Sequence, residues 1–168
     1  MATALLLAIA GALAAQVPAT APTCPTPAGA PAGYDGWAAL QGVTAGASVA
    51  APATLALGRS ARATLLPTDR VTFPAPPGRA AEPATMAGVF AVDADSAGSY
   101  RVALSAPVWV DLVAGDKPLA SVAHGHGPDC SGIRKTVDFR IPAAGRYLVQ
   151  VANSAAPNVT VMISRVTD

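Results

Sequence analysis

Two short stretches decide the fold: Ala97-Gly98-Ser99-Tyr100-Arg101-Val102-Ala103-Leu104 and Ala144-Gly145-Arg146-Tyr147-Leu148-Val149-Gln150-Val151. In each, a glycine opens a run whose large apolar side chains fall two apart. Tyr100, Val102 and Leu104 alternate with Ser99, Arg101 and Ala103, and Tyr147, Val149 and Val151 alternate with Arg146, Leu148 and Gln150. Residues two apart share one face of a strand, so the pattern specifies strands with one buried face. The second run is the less regular, because Leu148 on its polar side also asks for burial. The shared Ala-Gly-x-Tyr-x-Val pattern reads as strand initiation. Glycine permits the positive backbone angle that turns the chain, and tyrosine buries its ring while its hydroxyl reaches a loop.

The same kind of segment recurs from residue 53 onward, with Gly, Pro, Asp and Ser clusters between. The expected strands are Thr54 to Leu57, Ala63 to Leu66, Arg70 to Phe73, Gly88 to Val92, Ser99 to Leu104, Val108 to Val113, Leu119 to Ala123, Thr136 to Arg140, Arg146 to Val151 and Val159 to Val166. No window keeps apolar residues at helical spacing for three turns. So many short strands in one small domain imply an all-β fold, a two-sheet antiparallel β-sandwich of jelly-roll-like form, over residues 36–168. Each large side chain buried in such a core contributes about 1.5 to 3 kcal/mol.

The chain has 168 residues, 12% of them charged, and a formal net charge of +1. That charge leaves no electrostatic footprint for nucleic acid. Although 52% of residues are hydrophobic, much of that is alanine, and the larger apolar residues sit in short separate runs. No integral membrane segment is expected once the N-terminus is removed. Residues 1–15 carry the apolar run Leu5-Leu6-Leu7-Ala8-Ile9 and then small residues, with Ala12-Leu13-Ala14 or Leu13-Ala14-Ala15 as a signal-peptidase site. This reads as an export signal, and places the mature chain in the periplasm or outside the cell. Residues 16–35 form a Pro/Ala-rich arm, whose prolines at 18, 22, 25, 27 and 31 exclude helix and interior strand. The two cysteines, Cys24 and Cys130, are most simply one disulfide in an oxidising compartment.

The layout Val89-Phe90-Ala91-Val92, Ala97-Gly98-Ser99-Tyr100-Arg101-Val102, Val110-Asp111-Leu112-Val113 and Ala144-Gly145-Arg146-Tyr147 resembles the bacterial pre-peptidase C-terminal domain. The resemblance covers residues 86 to 166 and implies a small β-sandwich with a role in binding or secretion rather than catalysis. Outside that pattern lies His124-Gly125-His126-Gly127-Pro128-Asp129-Cys130-Ser131-Gly132-Ile133-Arg134-Lys135. With this segment the chain resembles small exported bacterial proteins that share an HGHG-x-x-C-x-G-I-R-K motif and carry the label homogentisate 1,2-dioxygenase. That label implies a ferrous iron held by two histidines and a glutamate, with a further histidine aiding the chemistry. Here His124 and His126 would both be used as ligands. The one glutamate, Glu82, lies far upstream, so Asp129 would have to replace it.

Read from the residues alone, this segment gathers both histidines. On a strand, His124 and His126 would aim two imidazoles at one ion, with Gly125 leaving room and Asp129 curling back as third ligand. Cys130 could join as a thiolate only if it is not bridged. Such a set suits Cu(II) or Zn(II), with Fe(II) a further candidate. The plainer reading is a surface loop whose glycines make turns and whose histidines bond to the backbone. Arg134 and Lys135 read as a solvated strand edge, or as a candidate anion contact. Ser131 beside His126 and Asp129 sits in no nucleophile elbow. Asn158-Val159-Thr160 is a glycosylation sequon that a bacterial host would not use. Trp109 and Asp111 share a strand face, where a core tryptophan is favoured over a sugar-stacking platform. Two functions follow. The first is an exported non-catalytic binding or accessory protein with one disulfide, whose partner is a protein or small ligand. The second is a small metalloprotein, with metal-dependent oxygenase chemistry as the label implies.

Overall fold

The structure is a computed structural model that describes Cys24 and residues 30–166; the expected export signal and most of the proline-rich arm lie outside the described residues. The strands are β1 (Gln41–Thr44), β2 (Ala53–Thr54), β3 (Ser60–Thr64), β4 (Leu66–Pro67), β5 (Met86–Ala94), β6 (Gly98–Leu104), β7 (Trp109–Ala114), β8 (Lys117–Pro118), β9 (Ser121–Gly125), β10 (Lys135–Ile141), β11 (Gly145–Ser154) and β12 (Asn158–Arg165). They form two packed sheets, ordered β1-β3-β12-β6-β10-β9 and β2-β5-β11-β7-β8, with β4 pairing β5 off the second path. The expected two-sheet β-sandwich is therefore what the chain adopts.

Three expectations need correcting. The sheets are mixed rather than wholly antiparallel, since β1 runs parallel to β3 and β2 parallel to β5. Parallel neighbours need a crossover instead of a hairpin, and the chain provides it by placing β2 in the opposite sheet between β1 and β3. Next, Arg70 to Phe73 is not a strand. Thr68–Arg70 makes one turn of 3₁₀ helix, and Val71 to Phe73 runs on outside both sheets, tied by Thr72 N donating to Ala47 O at 2.8 Å. Prolines at 67, 74, 76 and 77 flank this stretch and cannot donate to a ladder. Finally, β1 and β8 were not expected, because neither Gln41-Gly42-Val43-Thr44 nor Lys117-Pro118 carries a buried face.

The alternation that predicts the strands also sets which face is buried. Tyr100, Val102 and Leu104 on β6 join Val137, Phe139 and Ile141 on β10 and Val159, Val161 and Ile163 on β12 as the inner face of the first sheet. Opposite them stand Phe90 and Val92 on β5, Val110 and Leu112 on β7, and Tyr147, Val149 and Val151 on β11. Leu148, whose side was ambiguous, takes the outer face of the second sheet and is half-buried there.

The two glycine-tyrosine motifs are built alike. Gly98 and Gly145 adopt φ of 154° and 150°, angles that side chains resist. Two residues on, each tyrosine ring enters the core and its hydroxyl returns to the preceding turn. Tyr147 Oη donates to the Ala143 carbonyl at 2.9 Å. Tyr100 Oη lies 2.9 Å from both the Ser96 carbonyl and the Asp95 carboxylate.

The outer face of the first sheet is covered by the N-terminal segment. Tyr34, Ile133, Met162 and Ala103 form a second buried cluster, with Trp37 packed against it. Ser60 binds the segment twice, donating from N to Gly36 O at 3.0 Å and from Oγ to Trp37 O at 2.7 Å. Beside this cluster Arg101 makes a two-pronged contact with Asp138, both bonds 2.7 Å, and Asp138 holds the guanidinium pKa above its ordinary value.

Tyr147→Phe keeps the ring and removes one hydrogen bond, so it should lower the unfolding free energy by about 1 kcal/mol in a urea titration at neutral pH. The Tyr100 hydroxyl, followed by that of Ser96, holds the Asp95 carboxyl below its ordinary range. A carboxyl depressed in the folded state stabilises the fold above its unfolded pKa, and that contribution is lost as pH falls through the folded value. Tyr100→Phe should therefore be less stable than the parent at neutral pH, and the gap should narrow below roughly pH 4.

Candidate functional site

The HGHG segment begins on an edge strand. Strand β9 is exposed along nearly its whole length and pairs with β10, placing His124 opposite Val137. Because Val137 faces the core, His124 takes the inter-sheet side of the edge. The strand ends at Gly125, so His126 stands in the following loop and not on the ladder. Its Nδ1 lies 3.0 Å from the Arg134 carbonyl. A carbonyl only accepts, so Nδ1 carries the proton and Nε2 is left as the second ring nitrogen.

The rest of the segment is a compact turn. The Pro128 carbonyl accepts from Ser131 Oγ at 2.6 Å and from Ser131 N at 3.2 Å, and Ser131 Oγ accepts from Ile133 N at 3.1 Å. Trp37 Nε1 donates to the Ser131 carbonyl at 3.0 Å, joining the turn to the N-terminal segment. Gly127 packs so closely on Ile133 that a Cβ would overlap that side chain. Cys130, at φ 60°, is bridged to Cys24 across a sequence separation of 106. The expected disulfide is present, and it consumes the thiol that would otherwise be a ligand or nucleophile.

Of the expected metal ligands, His124 and His126 border one shallow groove together with Tyr34, Arg101 and Asp138. Asp129, exposed, borders a different one with Cys24, His126 and Arg134. Among the described residues no three His, Cys, Asp or Glu side chains are gathered as a metal-holding group. Glu82 is engaged elsewhere, 3.0 Å from Arg79. Arg134 and Lys135 do not share a patch. Arg134 is exposed on the disulfide side, whereas Lys135 begins β10 on the same face as Val137 and reaches between the sheets.

There Lys135 enters a cleft of about 320 Å³ on the open side of the sandwich, bordered by Trp109, Leu119, His124, Val137 and Phe139. The cleft exists because β8 covers only Val113 and Ala114 of β7, leaving Trp109 to Asp111 without a strand neighbour on that side. Lys135 Nζ donates to the Val108 carbonyl at 2.8 Å and sits 5.1 Å from the centre of the Trp109 ring, a cation-π distance. Burial pushes its pKa down, with nearby Asp111 opposing.

Asp111 anchors the other wall. It is 7% exposed, and its carboxylate accepts from Trp109 Nε1 at 2.9 Å, Gln150 Nε2 at 2.8 Å and Gly78 N at 3.2 Å. Trp109 is thus neither a plain core residue nor a bare platform: it is half-buried, with its indole fixed by a carboxylate and a cation near its face. The period-two pairing of Trp109 with Asp111 was visible in sequence, but Gln150 and Lys135, which complete the arrangement, were not singled out for it. The signal that could have found Lys135 is a lysine opening the otherwise apolar face of Val137, Phe139 and Ile141; Gln150, on the side of its strand that carries Arg146, gave none.

Asp111→Ala would leave the fully buried Gln150 amide and the Trp109 indole without an acceptor. It should cost about 3 kcal/mol, read as a lower urea midpoint at unchanged slope. Compared with known proteins, the chain matches no family model and none of the curated proteins.

Proposed function

We propose that the protein is an exported, non-catalytic β-sandwich module that acts by binding, in the periplasm or outside the cell. The observation that carries this reading is the Cys24–Cys130 disulfide, a bond that persists in oxidising compartments. The apolar Met1–Ala15 stretch with its small-residue cleavage site supports the same address. The contacts of the HGHG segment support this reading: Gly127 packs on Ile133, Cys130 is bridged to Cys24, and His126 and Ser131 bond to backbone. Among the described residues no helix is long and apolar enough to cross a membrane. The resemblance to the pre-peptidase C-terminal domain agrees with an accessory role.

Mass spectrometry of the full chain expressed in a bacterium tests this. The expected product comes from the periplasm or medium, begins at residue 15 or 16, and is two hydrogens lighter than the reduced form. A cytosolic chain keeping Met1 and two free thiols would overturn the reading. Stoichiometric Cu, Zn or Fe lost in His124→Ala and His126→Ala would overturn the non-catalytic part in favour of the metalloprotein, as would ring cleavage of homogentisate. Reduction of the bridge should destabilise the fold, by at most about 4 to 5 kcal/mol from chain entropy.

A further inference from the structure

The cleft on the open side of the sandwich holds a cation, Lys135, that makes no ion pair among the described residues. Lys135 Nζ has three hydrogens, and one is used by the Val108 carbonyl. Among the described residues no carboxylate lies within ion-pair distance of it, the pairs being Arg79–Glu82, Arg101–Asp138, Arg146–Asp93 and Arg165–Asp95. Asp111 is the nearby anion, but both its oxygens are already occupied by Trp109, Gln150 and Gly78. A half-buried ammonium without a close counter-ion is poorly solvated, so an anion entering the cleft gains more from it than from a lysine in water. His124 also borders the cleft. Beyond the ammonium, Trp109, Leu119, Val137 and Phe139 give the cleft an apolar side, while Asp111, Ser121 and His124 make the rest of its lining polar. The volume, about 320 Å³, is at the small end for ligand sites.

We propose that this cleft binds a small monocarboxylate with an apolar acyl or single-ring body, its carboxylate on Lys135 Nζ and its body against Trp109 and Leu119. The proposal rests on the reading of the chain as a binding module and supplies that module with a ligand class. The cation and the apolar wall are both needed: the first selects an anion over an alcohol, the second selects a body over acetate. Phosphate esters fit less well, because one ammonium offers little to a doubly charged head and the apolar side offers it nothing.

The test is titration of the full mature chain with hexanoate and with benzoate, following the Trp109 indole N–H resonance by NMR, assigned with Trp37→Phe. Hexan-1-ol and acetate are the controls. The expected result is saturable displacement of the Trp109 signal, with hexanoate binding about tenfold tighter than hexan-1-ol and than acetate. Lys135→Met, which keeps most of the stem, should abolish the preference for hexanoate over the alcohol. Ser121→Asp, an exposed change at the cleft border, should weaken hexanoate about tenfold by like-charge repulsion without touching the core. The proposal is overturned by hexan-1-ol binding as tightly as hexanoate, by hexanoate affinity unchanged in both variants, or by no saturable shift up to about 20 mM. Export and the disulfide are read on unliganded protein, so failure here leaves those measurements standing and failure there does not mimic this one.

Discussion

The constraint on which the rest depends is that β6, β10, β11 and β12 each have one face that must leave water. Tyr100, Phe90 and Phe139 are essentially fully buried between the sheets, and no single sheet could cover them. Closing two sheets on each other fixes the register of every pairing, because a slip of one residue would send the tyrosines and valines to solvent. The cleft follows from the same closure. Strand β7 is committed to the core through Val110 and Leu112, yet β8 is too short to shield its first half, and Lys135 at the start of β10 is directed into the resulting gap.

The outer faces are handled differently. On the first sheet, Ala103 and Met162 are covered by Tyr34 and Ile133, which come from two ends of one covalent link, the N-terminal segment and the turn after Cys130. On the second sheet, Gln150 and Asp111 are covered by the Ala75-to-Gly78 segment through hydrogen bonds, with Ala75 N donating to Gln150 Oε1 at 3.4 Å. One outer face is closed by apolar contact and a disulfide, the other by a polar network whose buried groups must all be satisfied at once.

How much of this was legible varies with how local the cause is. The long strands β6, β10, β11 and β12 were readable because each carries its own alternation, β5 because it is a continuous apolar run, and the tyrosine turns because Ala-Gly-x-Tyr is a local geometry. Strands β1 and β8 escaped because exposed edge strands have no hydrophobic period, and the parallel pairings because direction depends on how the chain crosses between sheets. The disulfide followed from compartment and from there being two cysteines. The HGHG segment looked chemical because its residue types are reactive, whereas four of its members, His126, Gly127, Cys130 and Ser131, are committed to backbone, packing or a bridge. The cleft was illegible as a site since Trp109, Lys135 and Asp111 come from β7 and β10, which lie in different sheets.

The position of the bridge has one more consequence. The covalent ring from Cys24 to Cys130 contains β1 through β9, while β10, β11 and β12 lie outside it yet pair with strands inside it. A single peptide cut anywhere within the ring leaves both pieces joined by the bridge, and a cut after β3 leaves the N-terminal piece also paired with β12. Against a protease, the covalent ring means that one cut within it releases no fragment, and two are needed.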